Sequence, residues 1–194
     1  MSAAVATIHA AELPTDGIET TRFRLRPIAA TDLLLYQEIY CNPDTMRYVG
    51  PPLSITEATR SFHAAVKQTA APDSNARFLV VIAKDSGLGV GICGVCFGVP
   101  GWGSAEIGIM LLGSARGHGY SHEVLGGFVD YVFLSSKASQ VVVRYAARQT
   151  AVVCLNNGLG FVINKESSSD SDTRQRAHID RNVWQVGVQS INRG

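Results

Sequence analysis

The stretch that decides the fold covers residues 105–121 and reads A-E-I-G-I-M-L-L-G-S-A-R-G-H-G-Y-S. Six of its first eight residues are apolar, which is typical of a buried strand. The glycines of R-G-H-G, residues 116–119, favour a tight turn, because glycine adopts backbone conformations that other residues avoid. After the turn, apolar residues recur in pairs four apart, which predicts a helix with one buried stripe. The stripe consists of Val124, Leu125, Phe128, Val129, Val132 and Phe133.

The turn before this helix has the chemistry of an anion site. The amides at the start of a helix have no partner within the helix, and the positive end of the helix dipole lies there. Gly117 and Gly119 leave room for a ligand, and the Arg116 guanidinium offers donors that suit phosphate oxygens. Taken alone, the same pattern also fits a glycine-rich turn before a surface helix.

The composition of the 194 residues is that of one globular domain. Hydrophobic residues make up 46% and charged residues 17%, with a formal net charge of +1. These values argue against a disordered chain and give no broad basic surface for nucleic acid or an anionic membrane. Nineteen residues are glycine, thirteen of them between Gly87 and Gly127. We predict a single domain over residues 20–194, preceded by a loose tail over residues 1–19.

Neither a membrane span nor a signal peptide is predicted. Glu106 is the one charged residue between Ser86 and Arg116. The glycines and Pro100 of that run nevertheless disfavour a spanning helix. The N-terminus lacks the basic start and the long apolar run of a signal peptide.

The four cysteines predict free thiols and a cytoplasmic protein. Cys93 and Cys96 have the spacing of half a zinc site, but no second pair of matching spacing exists. Residues three apart in a strand point to opposite faces, so we expect buried strand cysteines and no metal.

Outward from the deciding stretch, hydrophobic periodicity predicts the order β α α β β β α β α β β. The predicted strands are 21–26, 77–84, 89–99, 105–112, 140–146, 161–163 and 182–189. The predicted helices begin at Thr31 or Asp32, at a capping box formed by Ser54 and Glu57, after the glycine turn, and near Thr150. Residues 167–173 are predicted to be a solvated loop.

These pieces together resemble the GNAT acetyltransferases, and in particular the RimJ/RimL-type N-acetyltransferases. The run R-G-H-G-Y-S at residues 116–121 resembles their motif A, Arg/Gln-x-x-Gly-x-Gly/Ala. T-T-R-F-R-L-R-P at residues 20–27 resembles their opening strand, and Asp32 begins the first helix as it does there. A-E-I-G at 105–108 and L-G-F at 159–161 complete an ordered set that spans roughly residues 20–189.

The resemblance implies an α/β (α+β) GNAT fold with a mixed central sheet of about seven strands. The N-terminal part of the sheet would be antiparallel, two central strands would splay apart, and helices would flank both faces. The implied co-substrate is acetyl-CoA and the implied partner is an unidentified amine acceptor, with no metal, nucleic acid or membrane. The oligomeric state stays open, a homodimer included.

The resemblance also implies which residues bind acetyl-CoA. The turn amides would hold the pyrophosphate, the end of the preceding strand would pair its backbone with the pantetheine arm, and a polar side chain would follow the next strand. These residues are Met110, Leu111, Leu112, Arg116, Gly117, His118, Gly119, Tyr120, Ser121 and Gln149.

The chain departs from the family pattern near the expected chemistry. Gln149 and Val152 stand where the family has Asn and Ser, and Asn156 stands where many members have the tyrosine that acts as general acid. Ser121 replaces the final small residue of motif A. These departures support an alternative function, a GNAT fold that binds an acyl-CoA or a pathway intermediate without normal acetyl transfer.

Glu106 is the candidate general base, acting directly or through water. A carboxylate in so apolar a segment tends toward a raised pKa, which suits a base. A solvated strand-edge carboxylate or a partner to an arginine is the alternative. Tyr145 could supply the acid, or form part of the core or the cleft wall. A covalent route through Cys154 is conceivable, although no histidine partner lies nearby in the motif.

The remaining candidates are given simpler roles. His118 and His122 flank the turn and are expected to be exposed, although either could touch a phosphate. Trp102 and Trp184 are expected to pack, with Trp102 also able to line an acceptor pocket. A basic strand face at residues 22–26 is the sole support for a nucleic-acid-binding module, which the neutral chain disfavours.

Overall fold

One mixed sheet of eight strands organises the protein. The computed structural model describes residues 17–99, 103–164 and 174–184. The strands are β1 (Ile18–Glu19), β2 (Phe23–Pro27), β3 (Ala76–Ala83), β4 (Gly89–Val99), β5 (Ser104–Leu111), β6 (Gln140–Ala146), β7 (Val162–Asn164) and β8 (Arg174–Asp180). Their order in the sheet is β1-β2-β3-β4-β5-β6-β8-β7. Within the described ranges, only β5 and β6 pair in parallel, and the helical residues between them form the crossover that parallel neighbours need.

Among the described residues, five α-helices with full bounds cover the two faces of the sheet. They are α1 (Leu33–Tyr40), α2 (Pro43–Met46), α3 (Ile55–Ala70), α4 (Tyr120–Ser135) and α5 (Thr150–Gly158). The predicted capping box opens α3, where the Ser54 hydroxyl accepts from the Glu57 amide and the Glu57 carboxylate accepts from the Ser54 amide. The stripe predicted for α4 is buried throughout. The mixed α/β architecture is therefore confirmed.

Strand β5, which lies in residues 105–121, contributes side chains to two hydrophobic clusters. Ile107 and Leu111 of β5 pack with α4 and α5 in one hydrophobic cluster. Met110 packs with α1 and α3 in the other cluster, on the opposite face of the sheet. Successive side chains of a strand alternate between faces, so Glu106 and Gly108 lie on the same face as Met110, as the sequence predicts.

The expected separation of two central strands is present. Pairing between β5 and β6 runs from Ser104–Gln140 to Ile107–Val143 and stops there. Beyond this point, as far as the described residues show, β5 pairs only with β4 and β6 only with β8. The gap between residues 108–111 and residues 144–146 is called the wedge below.

The C-terminal end of the sheet differs from the prediction. Residues 182–189 are predicted to be the closing strand, but residues 182–184 are helical, and residues 185–189 lie outside the described part. The strand beside β6 is β8 instead, which contains R-Q-R-A-H-I-D. Its polar residues hide the pattern, because only Ala177 and Ile179 face the core. The predicted loop at 167–173 also lies outside the described residues.

The N-terminal region shows two smaller differences. Ile18 and Glu19, counted within the loose tail, form a two-residue strand on β2, while residues 1–16 lie outside the described part. Asp32 precedes α1 as expected but makes no capping bond to that helix. Its carboxylate accepts two bonds from Arg26, at 2.7 and 2.8 Å, and one from the Ala29 amide. The carboxylate therefore joins β2 to the start of α1.

Candidate active site

The wedge opens into a cavity of about 490 Å³ that is lined from both faces of the sheet. On the α4–α5 face the lining is mainly apolar. On the other face it carries most of the polar and charged groups. The α4–α5 lining comprises Ile107, Ile109, Leu125, Val143, Tyr145, Val152, Leu155 and Asn156. The opposite lining includes Tyr40, Tyr48, Cys96, Glu106, Met110, Arg144 and Arg174.

The glycine turn follows β5 directly and has the backbone that its sequence predicts. Gly117 has φ of 86° and Gly119 has φ of 70°, a region that favours glycine. A Cβ at Gly117 would meet nothing within 4 Å, and one at Gly119 would meet only the tip of Arg22. The first bond of α4 runs from the Glu123 amide to the Gly119 carbonyl. The amides of residues 120–122 therefore have no helical partner and can donate to an anion.

Arg22 is a neighbour of this turn that sequence reasoning placed only on a basic strand. Its Nε lies 2.5 Å from the Glu123 carboxylate, and its Nη1 donates to the His118 carbonyl at 3.2 Å. The guanidinium also lies 4.6 Å from the centre of the Tyr120 ring. No local sequence pattern could reveal the contact between Arg22 and Glu123, because the two residues are 101 positions apart in the chain.

Glu123 ties the first turn of α4 to the start of β2. Its carboxylate accepts from the Thr20 hydroxyl at 2.7 Å and from the Arg22 amide at 2.6 Å. Burial tends to raise the pKa of Glu123, but these bonds and the Arg22 guanidinium outweigh it and hold the pKa below its usual range. The negative charge beside the turn is thus compensated by Arg22.

The Arg116 side chain folds back onto the end of β5. Its Nε and Nη2 donate to the Leu111 carbonyl at 3.3 and 3.2 Å. Its amide donates to the Gly113 carbonyl. In this conformation the side chain and the amide of Arg116 both hold the turn against β5, and the role of Arg116 as a donor to phosphate stays a prediction.

The aromatic residues of the turn flank the amides. His118 is exposed and its ring lies 5.3 Å from that of Tyr120. Tyr120 also packs edge-on against Phe23. Ser121 is half-buried. His122 is exposed, as expected, and its Nε2 lies 3.5 Å from the Gly158 carbonyl.

The strand end predicted to contact pantetheine borders the wedge. Met110 and Leu111 pair with β4, and the Leu112 amide donates to the Val90 carbonyl. Their other edge faces the wedge, where an extended ligand can pair with the backbone. Gln149 precedes α5 and lines the same cavity. The binding roles of these residues stay predictions.

Glu106 lines the cavity and forms an ion pair with Arg144 of β6, at 3.1 Å. The side chains of Glu106 and Arg144 are 31% and 47% exposed. The expected apolar setting of Glu106 is therefore wrong, because the parallel register brings an arginine to its side. The alternative prediction, that Glu106 is the partner of an arginine, is confirmed by this ion pair. The role of Glu106 as a base stays a prediction.

Tyr145 and Asn156 form a buried polar pair at the wedge. Tyr145 is 5% exposed and Asn156 is fully buried, and both line the cavity. Neither the Tyr145 hydroxyl nor the Asn156 amide group makes a hydrogen bond of normal geometry with the described residues. Burial raises the pKa of Tyr145, and the adjacent Asn156 side chain partly offsets that rise.

The cysteines differ partly from expectation. Cys93 is buried, but Cys96 is exposed and lines the cavity beside Glu106. Burial and the charge of Glu106 raise the pKa of the Cys96 thiol. Cys154 is exposed on α5 and is not among the residues that line the cavity. The described part of the chain contains no group of side chains that could hold a metal ion.

Other candidates have structural partners. Trp184 donates to Asp130 at 2.6 Å and packs on the core, while Trp102 lies outside the described residues. Arg22 and Arg26 are each paired with a carboxylate, which weakens the nucleic-acid interpretation of that strand. Across the described ranges, no helix is long and apolar enough to cross a bilayer.

Comparisons with known proteins agree with this geometry. The acetyltransferase (GNAT) domain family matches residues 22–162, well over half of the chain. No curated protein sequence matches significantly. The solved structure of spermidine N-acetyltransferase from Vibrio cholerae, with CoA and spermine, has a TM-score of 0.71 at 19% identity, covering 86% of this chain and 99% of that one.

Two further structures show the same fold. A GNAT-family acetyltransferase from Bacillus anthracis has a TM-score of 0.69 at 16% identity, covering 85% of this chain and 98% of its own. A nucleotide-linked sugar GNAT has a TM-score of 0.75 at 11% identity, covering 91% and 97%. The family match, the shared fold and the wedge above a glycine turn lead to one conclusion: the chain belongs to the GNAT acetyltransferase family and is an acyltransferase.

Proposed function

We propose that this chain is a RimJ/RimL-type N-acetyltransferase that moves the acetyl group of acetyl-CoA to a primary amine. The acceptor is the N-terminus of a protein or peptide, or a small amine. The observation that carries the proposal is the course of β5, which leads from the wedge directly into a turn with unpaired helix amides. An elongated co-substrate with a phosphate group at one end and a thioester at the other fits this arrangement.

The turn residues supply the binding energy for the phosphate end. The amides of residues 117–121 donate to the pyrophosphate, helped by the positive end of the α4 dipole. Arg22 compensates the Glu123 carboxylate, so that a phosphate near the turn meets no uncompensated negative charge. The exposed edge of Met110, Leu111 and Leu112 pairs with the amides of the pantetheine arm, and Gln149 adds a polar contact.

Glu106 receives the proton that leaves the attacking amine, directly or through one water. Its position on the face of the cavity that carries most of the polar and charged groups supports this role. Arg144 fixes the carboxylate by the ion pair. Backbone amides near Met110 and Leu111 stabilise the oxyanion that forms when the amine attacks the thioester carbon.

The location proposed for the enzyme is the cytoplasm. The four thiols are unpaired in the structure, which is consistent with a reducing compartment.

Two measurements test the function. Isothermal titration with CoA measures binding, and mass spectrometry measures acetyl transfer from acetyl-CoA to spermidine, free amino acids and short peptides with free N-termini. Saturable CoA binding with acetylation of at least one amine is the expected result. Absence of CoA binding contradicts the proposal.

CoA binding without turnover across these amines would instead support the alternative, a GNAT fold that binds an acyl-CoA without transfer. The buried Asn156 at the wedge is the observation that keeps this alternative open, because it provides no acid on α5.

A further inference from the structure

We propose that Tyr145 is the general acid of this enzyme, positioned by Asn156, and that it protonates the sulfur of the departing CoA. The assignment rests on the acetyl transfer proposed above. It starts from the buried pair at the wedge, whose polar atoms make no hydrogen bond of normal geometry with the described residues. Buried polar groups are nearly always paired in proteins, so unpaired polar atoms in two residues that line a cavity indicate a partner that arrives with a ligand.

The position of Tyr145 along β6 matches the place where the reaction has to occur. The last β5–β6 pair joins Ile107 to Val143. Continuing the same parallel register places Tyr145 level with Ile109, on the other side of the wedge. A chain that pairs with the edge of β5 at residues 110–112 therefore brings its reactive end to the level of the Tyr145 hydroxyl.

Acid and base lie on opposite faces of the sheet. Val143 of β6 packs with α4 and α5, and Tyr145, two residues on, lies on the same face. Glu106 lies on the face of α1 and α3 with Met110. Direct attack on a thioester needs a proton acceptor beside the amine and a proton donor beside the sulfur, on two sides of the same carbon. The wedge passes between these two groups.

The composition of the α4–α5 face leaves one proton donor of suitable acidity. Apart from Asn156, Tyr145 and the Gln149 side chain that precedes α5, the described lining residues of that face are aliphatic. An amide side chain is not acidic, whereas a phenol is protonated at neutral pH and can give up its proton to a thiolate. The other titratable or charged groups of the cavity line the opposite face. They include Tyr40, Tyr48, Cys96, Glu106, Arg144 and Arg174.

Asn156 acts through Tyr145. Its side chain is fully buried on α5 beside the hydroxyl. It can donate to the phenol oxygen or accept from it, and it stabilises the phenolate that remains after proton transfer. Asn156 is therefore a positioning residue.

The step balances as follows. The amine nitrogen forms a bond to the thioester carbon, and the carbon–sulfur bond breaks with its electron pair on sulfur. The proton lost by nitrogen goes to Glu106, and sulfur takes the phenolic proton of Tyr145. Solvent then returns a proton to Tyr145 and accepts the one on Glu106, so the net products are the acetamide and CoA thiol.

The test is Tyr145→Phe, assayed with acetyl-CoA and whichever amine of the panel the wild type acetylates. We expect kcat to fall about 100-fold, a typical contribution of a general acid. CoA affinity and thermal stability should stay near the wild-type values, because phenylalanine keeps the ring. The matched control is Tyr131→Phe, which removes a buried hydroxyl from α4 that does not line the cavity.

Two readouts separate an acid from a structural tyrosine. In the wild type, kcat should fall at alkaline pH as Tyr145 loses its proton, and this limb should be absent from Tyr145→Phe. Asn156→Leu should lower kcat when it is the only substitution. Added to Tyr145→Phe, it should cause no further loss of kcat, because Asn156 acts through the phenol.

The outcomes are distinguishable. Wild-type turnover with an unchanged kcat in Tyr145→Phe overturns the acid assignment and leaves the proposed function intact. A wild type that acetylates no amine overturns both. A fall in kcat that leaves the alkaline limb in place also overturns the assignment, because the group that titrates is then not Tyr145.

Discussion

The two ends of the cleft are built from different parts of the chain. At the turn end, residues 113–123, a ligand would meet backbone amides that one continuous segment presents. At the wedge end, it would meet the side chains of Glu106, Arg144, Tyr145 and Asn156, which come from β5, β6 and α5. Binding at the first end therefore depends on backbone conformation, and chemistry at the second depends on how distant elements pack.

The largest effect is expected from a side chain at the turn end. Gly119→Val should weaken CoA binding by at least about 100-fold, because φ of 70° disfavours valine and its branches occupy the space of the phosphate. Titration with CoA measures the change. Gly87→Val is the matched control, since Gly87 has φ of 69° and lies in the β3–β4 turn. Equal loss in both variants would show that strain alone accounts for the effect.

The next largest effect is expected at the wedge end. Glu106→Gln should lower kcat about 100-fold, at the lower end of the range for general bases, while CoA affinity stays unchanged. Steady-state kinetics with titration of CoA separates these quantities. Glu38→Gln, an exposed position on α1, serves as the control. A wild-type kcat in Glu106→Gln would remove Glu106 from the mechanism and leave it as the partner of Arg144.

A third substitution tests whether the Arg22 side chain contributes to CoA binding at the turn end. Arg22→Gln should weaken CoA binding about 5-fold, because the Glu123 carboxylate then lies uncompensated near the phosphates. Glu123→Gln in the same chain should restore part of that loss. The control is Arg24→Gln, two residues further along in β2, where the side chain is exposed. Equal effects of Arg22→Gln and Arg24→Gln would show that Arg22 affects CoA binding only through the overall positive charge of the protein.

The smallest effect concerns stability. Glu123→Gln should lower the free energy of unfolding by about 1 kcal/mol at pH 7. The pKa of Glu123 is lower in the folded protein than in the unfolded chain, so its contribution is present above about pH 4.3 and is lost as the pH falls through the folded value. Denaturant unfolding of both proteins at pH 7 and at a series of lower pH values measures this. A difference between variant and wild type that does not shrink as the pH falls would contradict the assignment.

Much of the framework follows from local patterns. The bounds of β4 and β6 agree with the predicted strands at 89–99 and 140–146, because alternating residues mark β4 and a run of three valines marks β6. The capping box of α3 and the stripe of α4 are equally local. β8 does not follow from such a pattern, because five of its seven residues are charged or polar. It is a strand because β6 and β7 flank it on both sides.

The sequence by itself determined the turn end, since glycine conformation and unpaired helix amides are properties of neighbouring residues. It also determined which face of β5 carries Glu106, because side chains alternate along a strand. Only the tertiary structure decided the partners: Arg22 beside Glu123, Arg144 beside Glu106, and Tyr145 beside Asn156. These contacts depend on strand register and helix packing, which a local sequence pattern does not encode.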